Sequence, residues 1–382
     1  MKIKLYAYSA AFACGIMLFN NVQAQEVVTD GRQENAITTA VPFLLITPDA
    51  RAGAMGDVGA ATSPDVNATH FNPAKLAFLK DPYGFGVSYS PWLPKLVPDI
   101  NLAYLNGFYK IDDRNTIGGS LRYFSLGNIQ FVDENQQLQG EGNPNELAFD
   151  VSYARSFGDN FSLGTAIRYI YSNLSSGQVF NSQETQPASA AAADISAFYT
   201  TPSTLFSKAA TISAGLDISN IGTKMNYTES GPKYFLPTNM RLGGSATVHA
   251  DDYNDFSFSL DFNKLLVPTN ATTDASKSVP AGIFGSFTDA PGGAKEELQE
   301  VSIATGAEYW YNKQFAIRAG YFYENPNKGN RQYLTLGLGL RYNIVDLDFS
   351  YLLANQQTSP LANTLRFSLL FNFAAPSSGA KP

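Results

Sequence analysis

The chain after Pro82 alternates apolar residues with small or polar ones in segments of about ten residues, the length that a tilted β-strand needs to cross a bilayer. In the segment 333–342, four leucines share one face with Tyr342, whereas Thr335, two glycines and Arg341 share the other. A soluble sheet would carry many Lys and Glu residues on its polar face. Here that face holds Gly, Ser, Thr, Asp and Arg, which predicts strands with a lipid-facing apolar side and a crowded polar lumen.

The same alternation predicts an all-β fold, a transmembrane antiparallel β-barrel of about fourteen strands. The approximate strand centres are Phe85, Tyr104, Ser120, Val151, Ala166, Ala197, Gly215, Ala246, Ser259, Gly306, Ala319, Leu338, Leu347 and Leu369. The connections are short after even-numbered strands, as at 112–115, and long after odd-numbered ones, as at 265–301. Outer-membrane barrels have short periplasmic turns and long external loops. The alternation therefore predicts that both chain termini are periplasmic.

One stretch, residues 48–79, does not fit the strand pattern and is rich in small residues. Glycines recur there at three-residue spacing, and an Asn-Pro pair near its end is a favourable helix start. We predict that this stretch forms a small N-terminal helical hatch, or plug, inside the barrel. Its candidate residues are Gly53, Gly56, Asp57, Gly59, Asn72 and Pro73. The apolar run at 41–46 either anchors this hatch or packs on the barrel rim.

The N-terminal residues have the form of a secretory signal peptide. Two lysines precede an apolar core at 5–19, and Val22-Gln23-Ala24 supplies a small-residue cleavage site. We therefore predict four parts: a signal peptide at 1–24, a lead-in and hatch at 25–81, an outer-membrane β-barrel at 82–373 and a C-terminal tail at 374–382.

The composition agrees with an exported barrel. Aromatic residues make up 13% of the chain and charged residues only 15%. Beyond the leader no apolar run reaches the roughly 18 residues that a transmembrane helix requires. The net charge of -7 argues against nucleic acid as a partner. We expect outer-membrane lipid to surround the barrel.

The sequence contains little that supports catalysis, and we expect no enzyme. The single cysteine, Cys14, lies in the leader, which excludes thiol chemistry from the mature protein. We expect His249 to be a hydrogen-bonded interfacial residue and His70 to make a hydrogen bond that ties the hatch to the wall. The chain contains no P-loop, EF-hand, HExxH or nucleophile-elbow pattern. We therefore predict no catalytic, cofactor or metal site.

Charged residues recur on the predicted lumen face. They are Arg122, Arg168, Arg241, Arg318, Arg341 and Arg366, with Asp150, Asp194, Asp217, Asp261, Asp346 and Asp348. Such a set either confers ion selectivity or forms a salt-bridge network that holds the hatch. We favour the network because buried charges need partners whatever the function. Gly118-Gly119 indicates either an inward bend that opens the wall sideways or dense packing beside the hatch.

Three segments of the predicted external loops are apolar for a surface: 91–98, 265–268 and 279–287. Exposed apolar surface usually marks a binding site for a protein or a membrane. The alternative is that these loops fold over the barrel mouth and bury one another. The candidate partner-binding residues are Trp92, Leu93, Leu96, Leu265, Leu266, Ile283, Phe284 and Phe287.

The run at 48–61, PDARAGAMGDVGAA, followed by Asp65 and by FNPAKL at 71–76, resembles the N-terminal hatch of FadL-like barrels. It is most similar to the PorV (LptO) branch, the outer-membrane component of the type IX secretion system of Bacteroidetes. The resemblance covers essentially the whole mature chain and implies the cell outer membrane of a Gram-negative bacterium. One departure from the family pattern is the tail that follows Phe373. The aromatic assembly signal of such barrels usually stands at the chain end, and here it does not.

This resemblance implies a non-enzymatic role in protein secretion. A protein of that family binds the C-terminal signal domain of secreted cargo, docks beside the large translocon barrel and passes cargo to the surface sortase complex. The alternative that the resemblance leaves open is a FadL-like transporter of hydrophobic small molecules. Transport predicts an apolar pocket between hatch and wall, with a lateral exit at Gly118-Gly119.

Overall fold

Fourteen antiparallel strands close into one barrel in the computed structural model of the protein. The structure describes residues 36–92, 99–132, 138–174, 179–180, 183–229, 231–270, 274–354 and 363–373. The predicted signal peptide, the tail at 374–382 and two candidate residues, Leu93 and Leu96, lie outside the described residues.

Each barrel strand is hydrogen-bonded to its neighbours in sequence order, and the first strand pairs with the last. The strands are β1 Tyr83–Pro91, β2 Asn101–Lys110, β3 Asn115–Ser125, β4 Asn145–Ser156, β5 Phe161–Asn173, β6 Ala188–Leu205, β7 Lys208–Gly222, β8 Asn239–His249, β9 Asn254–Leu265, β10 Val301–Tyr311, β11 Phe315–Tyr323, β12 Gln332–Tyr342, β13 Val345–Ala354 and β14 Leu365–Phe373. Every predicted strand centre lies within its strand, so the all-β barrel prediction is confirmed.

Burial alternates along the strands with a period of two, as the pleat requires. The apolar face is the exposed one: Leu334, Leu336, Leu338 and Leu340 of β12 are each at least 40% exposed. The polar face is buried, because Thr335 and the intervening glycines point inward. The large side chains therefore face the bilayer and the small or polar ones face the lumen, as the sequence pattern predicts.

The connections are short at one end of the barrel and long at the other, as predicted. Two long connections contain a small hairpin: Ile129–Val132 pairs with Leu138–Gly142, and Val179–Phe180 pairs with Gln183–Glu184. The longest, between β9 and β10, contains the helices α3 Val279–Gly285 and α4 Ala294–Gln299, which are numbered after α1 and α2 below. A 3₁₀ turn, Pro326–Lys328, lies between β11 and β12. No helix among the described residues is both long and apolar enough to span a bilayer.

Residues 36–79 precede β1 and contact the inward-facing positions of the strands. They form a 3₁₀ turn, Pro42–Leu45, two one-turn helices, α1 Ala50–Gly53 and α2 Ala68–Phe71, and a 3₁₀ helix, Pro73–Phe78. Asp49 caps α1 by accepting a hydrogen bond from Ala52 N (2.9 Å). Asn72 accepts one from Ala74 N (3.1 Å), and Pro73 is the first residue of the last helix.

The segment runs from the long-connection end of the barrel to the short-connection end. At its start Ala40 N donates to Phe235 O in the connection between β7 and β8 (2.9 Å). The buried Phe43 and Leu44 pack with residues of β2 to β6 and with Leu236, so the apolar run at 41–46 packs at the rim, one of the two arrangements considered. β1 begins and β14 ends at the short-connection end. The first described residues therefore lie at the opposite end from the start of β1, and the prediction of two periplasmic termini stays a prediction, because both termini lie outside the described residues.

Candidate functional site

Glycines on the wall allow the hatch segment, residues 48–79, to approach the strand backbones closely. A Cβ atom at Gly320 would lie 2.1 Å from Gly56 N, and one at Gly215 would lie 2.0 Å from Ala60 O. No side chain fits at such distances, because the nearest atoms are backbone atoms. Two strands four positions apart in the barrel, β7 and β11, therefore contact the same short segment.

The hatch glycines predicted from sequence occupy equally tight positions. Gly56 has φ 68°, a conformation that favours glycine, and a Cβ there would lie 2.6 Å from Thr305 O and Tyr321 N. A Cβ at Gly53 would lie 2.6 Å from Nη1 of Arg366, and one at Gly59 would overlap the ring of Phe71. The three-residue spacing therefore reflects three separate close contacts.

Asn72 and Asp57 link the hatch segment to the wall by hydrogen bonds. Asn72 Nδ2 donates to Ala60 O (2.9 Å) within the segment and to Ala197 O of β6 (3.0 Å). Asp57, which has φ 68°, accepts a hydrogen bond from the hydroxyl of Tyr333 in β12. Its backbone carbonyl accepts one from Arg241 of β8 (2.9 Å).

Most of the lumen charges form the ion-pair network that the sequence analysis favoured, but Asp217 has no ion-pair partner among the described residues. Arg168 pairs with Asp150 and with Asp194 (2.9 Å), and Arg318 pairs with Asp348 (2.6 Å). These side chains are almost fully buried. Mutual pairing offsets the desolvation cost that each buried charge would otherwise carry.

Three further pairs involve the predicted set. Arg241 lies 3.7 Å from Asp261, whose carboxylate accepts from Gly59 N (2.7 Å) and Ala60 N (2.9 Å). Arg122 lies 3.7 Å from Asp150 and donates to Leu44 O (2.9 Å), and Arg366 lies 3.9 Å from Asp57. The wall therefore contacts the segment through charged groups as well as glycines. By contrast, Arg341 and Asp346 (2.8 Å) pair near the short turns, where Arg341 is half-exposed.

Two residues that the sequence analysis did not select connect the hatch segment to this network. Arg51 donates to Glu308 of β10 (2.8 and 3.0 Å) and to Asp65 (2.7 Å), and Glu308 also accepts from Arg318 (2.7 Å). A lone arginine among alanines and glycines at 50–54 was the available signal. Such a charge in a buried small-residue run requires a partner.

Burial within the barrel shifts the acid-base properties of hatch side chains. Desolvation lowers the pKa of Lys75 to about 8, and the Lys75 ammonium donates to Gly59 O (2.9 Å) and Thr62 Oγ1 (2.8 Å). Desolvation, and then the charge of Asp65, raise the pKa of Asp49 to about 7. Both shifts follow from withdrawal of water.

The two histidines differ in their contacts. His249 hydrogen-bonds to Asp255 (2.7 Å) near a short turn, as expected for an interfacial histidine. The expectation for His70 was wrong, because neither of its ring nitrogens has a hydrogen-bond partner among the described residues. The His70 ring instead packs against Phe71 (centroids 4.5 Å apart) and Tyr104 (6.5 Å).

A second set of buried ion pairs holds the β9–β10 connection over the barrel mouth. Lys264 of β9 contacts Glu297 (3.0 Å) and Glu300 (2.6 Å). Lys328, in the β11–β12 connection, contacts Glu300 (3.0 Å) and Glu296 (2.6 Å). Because Glu300 is shared by both lysines, α4 and the residue that follows it are fixed to β9 and to a second loop.

The candidate partner-binding residues separate into inward-packed and exposed groups. Trp92 is half-buried with the Arg366 guanidinium over its ring (5.9 Å), Leu265 is half-buried and Leu266 is only 3% exposed. On α3 Ile283 is half-buried, whereas Phe284 is 78% exposed and the following Phe287 is 44% exposed. Both alternatives considered for these loops therefore occur, each in a different part of the mouth.

Two large cavities lie at opposite ends of the barrel and share no lining residue. The cavity at the long-connection end measures about 430 Å³ and lies between residues 36–47 and strands β8 to β12. Its lining includes Arg241, Glu300, Glu324, Lys328 and Arg331. The cavity at the short-turn end measures about 570 Å³ and is also lined by charged residues.

The sequence profile of the family described as type IX secretion system protein PorV matches residues 29–272, more than half of the chain. The chain belongs to the PorV family. The resemblance in the hatch residues is thereby confirmed. No curated protein matches the sequence.

Solved structures similar to this PorV-family chain include two toluene transporters and a FadL homologue. The toluene transporter TodX of Pseudomonas putida is 10% identical over 87% of this chain and 99% of its own, with a TM-score of 0.51. The toluene transporter TbuX of Ralstonia pickettii is 14% identical over 86% of this chain and 98% of its own, with a TM-score of 0.48. A FadL homologue of Pseudomonas aeruginosa is 12% identical over 86% of this chain and 99% of its own, with a TM-score of 0.45. At such identity the TodX likeness shows the fold alone, and the lower two scores add nothing to it.

The family is that of a type IX secretion system protein, and the fold is a closed β-barrel. Among the described residues no group of histidine and acidic side chains could hold a metal ion.

Proposed function

We propose that the protein binds the C-terminal signal domain of type IX cargo at the external mouth of the barrel, beside the translocon, and passes the cargo to the surface sortase complex. The observation that carries this proposal is the pair Phe284 and Phe287, which stand exposed on a connection held by buried ion pairs. Aromatic side chains on a rigid support lose little conformational entropy on binding and are the usual anchors of protein interfaces.

The positions of the other candidate residues narrow the proposed surface. Leu266 is buried and Trp92 packs inward, so we assign them to holding the mouth closed. Ile283 precedes Phe284 on α3 and is half-buried. The contact area with cargo or translocon therefore centres on residues 283–287.

The regular wall at Gly118-Gly119 favours secretion over small-molecule transport. Transport of hydrophobic compounds calls for a mainly apolar pocket between hatch and wall, with a lateral exit. The 430 Å³ cavity lies instead between residues 36–47 and the wall, and its lining combines apolar residues such as Phe322 with Arg331, which pairs with Glu324 (2.7 Å). Gly118-Gly119 pairs in unbroken register on both sides, so the lateral exit required by transport has no bulge to support it.

The test replaces Phe284 and Phe287 with Ser and measures co-purification of the translocon and cargo after gentle detergent extraction. We expect both associations to fall by about tenfold or more, as loss of central aromatic anchors usually causes. The barrel should remain assembled. Leu298→Ser, at a side chain 76% exposed on the neighbouring helix, is the matched control and should bind normally. Unchanged co-purification in the double variant would contradict the proposal.

A deletion strain separates the two functions. Loss of many secreted proteins with normal uptake of a labelled fatty acid supports the secretion role. Loss of uptake with an intact secretome supports transport.

A further inference from the structure

Residues 36–46 form a strap at the external mouth, and its backbone is strained at one position. Val41 has φ 46° and ψ 52° and is only 1% exposed. Among the described residues it is the only β-branched one with a positive φ, a conformation that such side chains strongly disfavour. Pro42 adds to the strain, because a residue that precedes proline favours an extended backbone. Strain of this kind persists only where surrounding contacts impose it, and it is concentrated in ligand clamps and switch regions.

An apolar pocket on the β2–β6 side of the mouth holds the strap. The Phe43 ring stacks on Phe124 of β3, with centroids 6.1 Å apart and an interplanar angle of 4°. Val41, Phe43 and Leu44 belong to one buried cluster with residues of the wall and loops, among them Ile100, Leu102, Ile170, Met225 and Leu236. Burial of these side chains offsets the strain in the backbone.

The same pocket also binds the main chain of the strap. Arg122, which is 1% exposed, donates to Leu44 O (2.9 Å), and Phe235 O accepts from Ala40 N (2.9 Å). The pocket therefore offers one hydrogen-bond donor and one acceptor to a peptide backbone, together with an aromatic face. These features suit an apolar peptide turn that carries an aromatic side chain.

The opposite side of the strap faces open space. Residues 36–39, Pro42, Leu45 and Ile46 line the 430 Å³ cavity, whose other walls are strands β8 to β12 and the β11–β12 connection. The strap is thus packed on one side only. It can leave the pocket toward this cavity without displacing a strand or the hatch segment.

Phe235 connects the strap to α3, the helix of the proposed external surface. Ile37 of the strap and Val279, the first residue of α3, both pack on the buried Phe235. A Cβ atom at Gly282 of α3 would lie 2.9 Å from the Phe235 ring. A partner that contacts α3 at Phe284 therefore acts on the helix that rests on Phe235, the residue that accepts the hydrogen bond of the strap.

We propose that the strap is an autoinhibitory segment, which occupies the apolar pocket until the cargo signal domain docks on α3 and inserts an apolar turn in its place. The inference rests on the proposed function, because it takes the cargo signal domain as the partner. It adds a second contact, in which an aromatic side chain of the cargo stacks on Phe124 and a carbonyl oxygen accepts from Arg122. Relief of the strain at Val41 favours the exchange.

The first test follows hydrogen exchange of the full-length protein in detergent, with and without a purified type IX cargo signal domain. The amides of Ala40, Leu44 and Ile46 are hydrogen-bonded while the strap is in place. We expect them to exchange about tenfold faster in the complex, because displacement frees them. The amides of Gly59 and Ala60, which are hydrogen-bonded to the wall, are the internal control and should not change.

The outcomes separate this inference from the proposed function. Binding of the signal domain without faster exchange in the strap overturns the inference and leaves the proposed function standing. The double change Phe284→Ser and Phe287→Ser should remove both the binding and the faster exchange. If the unmodified protein does not bind the signal domain, the proposed function fails and the inference fails with it.

The second test compares Val41→Gly with Val41→Ala in the protein without cargo. Both changes remove apolar contacts of the valine side chain, but only glycine adopts φ 46° without strain. We expect the amides of Leu44 and Ile46 to exchange about threefold or more slowly in the glycine variant than in the alanine variant. Equal exchange, or faster exchange in the glycine variant, would mean that no strain is stored at Val41 and would overturn the inference.

Discussion

The side chain of Arg51 is the point at which the hatch segment is bound most directly to the wall. It donates to Glu308 and to Asp65, and Glu308 also accepts a hydrogen bond from Arg318. The hatch segment, β10 and β11 therefore share one buried cluster of charges. Removing one member of such a cluster leaves an uncompensated buried charge, which costs more than the pair itself contributes. The cluster therefore sets how firmly the segment is held.

We predict that Arg51→Met destabilises the docked hatch segment by about 3–5 kcal/mol. Hydrogen exchange of residues 48–79 in detergent should rise strongly, with little change in the strands. Arg341→Met breaks a pair in which the arginine is 47% exposed, and its effect should stay below about 1 kcal/mol. Equal exchange in the two variants would show that Arg51 does not hold the segment.

At this scale the sequence predicted glycines and caps well and buried charges less completely. Gly56 and Asn72 have local signatures, because a positive φ and a helix cap depend on neighbouring residues. The pairing of Arg51 with Glu308 joins residues far apart in the chain, and no local pattern encodes it. The prediction of a hydrogen bond for His70 was wrong for a related reason. A buried imidazole can pack against aromatic rings without a hydrogen bond, and the sequence does not distinguish that packing from a hydrogen-bonded imidazole.

Individual strands meet the hatch segment through single small residues, and Gly118 is a clear case. A Cβ there would lie 2.8 Å from Leu76 Cδ1 and Thr69 Cγ2, both in the hatch segment. At the adjacent Gly119 the nearest atom would be Asp150 O at 3.4 Å, an ordinary contact. Dense packing, one of the two interpretations of the glycine pair, therefore explains Gly118.

Alanine substitutions should separate these two glycines. Gly118→Ala should cost about 1–3 kcal/mol through overpacking and displace the 3₁₀ helix at Pro73–Phe78. Gly119→Ala should be close to neutral. Urea titration of purified protein, with protease cleavage at residues 66–79 as the readout of displacement, measures both. If Gly119→Ala were the more disruptive, the bend interpretation would be restored.

Strands were predictable because the bilayer imposes one rule along the whole barrel: apolar residues outward and small or polar ones inward. This rule does not apply to the connections. Their lengths were predictable from the sequence, whereas the hairpins and helices within them were not. The hairpin at Ile129–Val132 and the helices of the β9–β10 connection depend on contacts with other loops, as the sharing of Glu300 by Lys264 and Lys328 illustrates. The sequence analysis also did not predict that β6 continues to Leu205, beyond the end of its pairing with β5 at Tyr199, because strand centres do not reveal where pairing stops.

On the scale of the whole described barrel, the two ends carry different surfaces. The long connections and residues 36–46 cover one end, with Phe284 exposed above them. The short turns and the β6–β7 hairpin form the other, with Phe206 at its tip. That residues 48–79 act as a fixed stopper between the two ends is a prediction, and ion conduction tests it.

We predict that the purified full-length protein adds no steady ion current to a planar lipid bilayer. The 430 Å³ and 570 Å³ cavities share no lining residue, and the buried charges of the Arg51 cluster line the one at the short-turn end. An ion would have to cross buried, mutually paired charges with no continuous water path. Arg51→Met and Gly118→Ala, which loosen the segment in different ways, should both produce brief openings, whereas Arg341→Met should behave as the unmodified protein. A steady current through the unmodified protein would show instead that the charged lumen serves as an open, ion-selective pore.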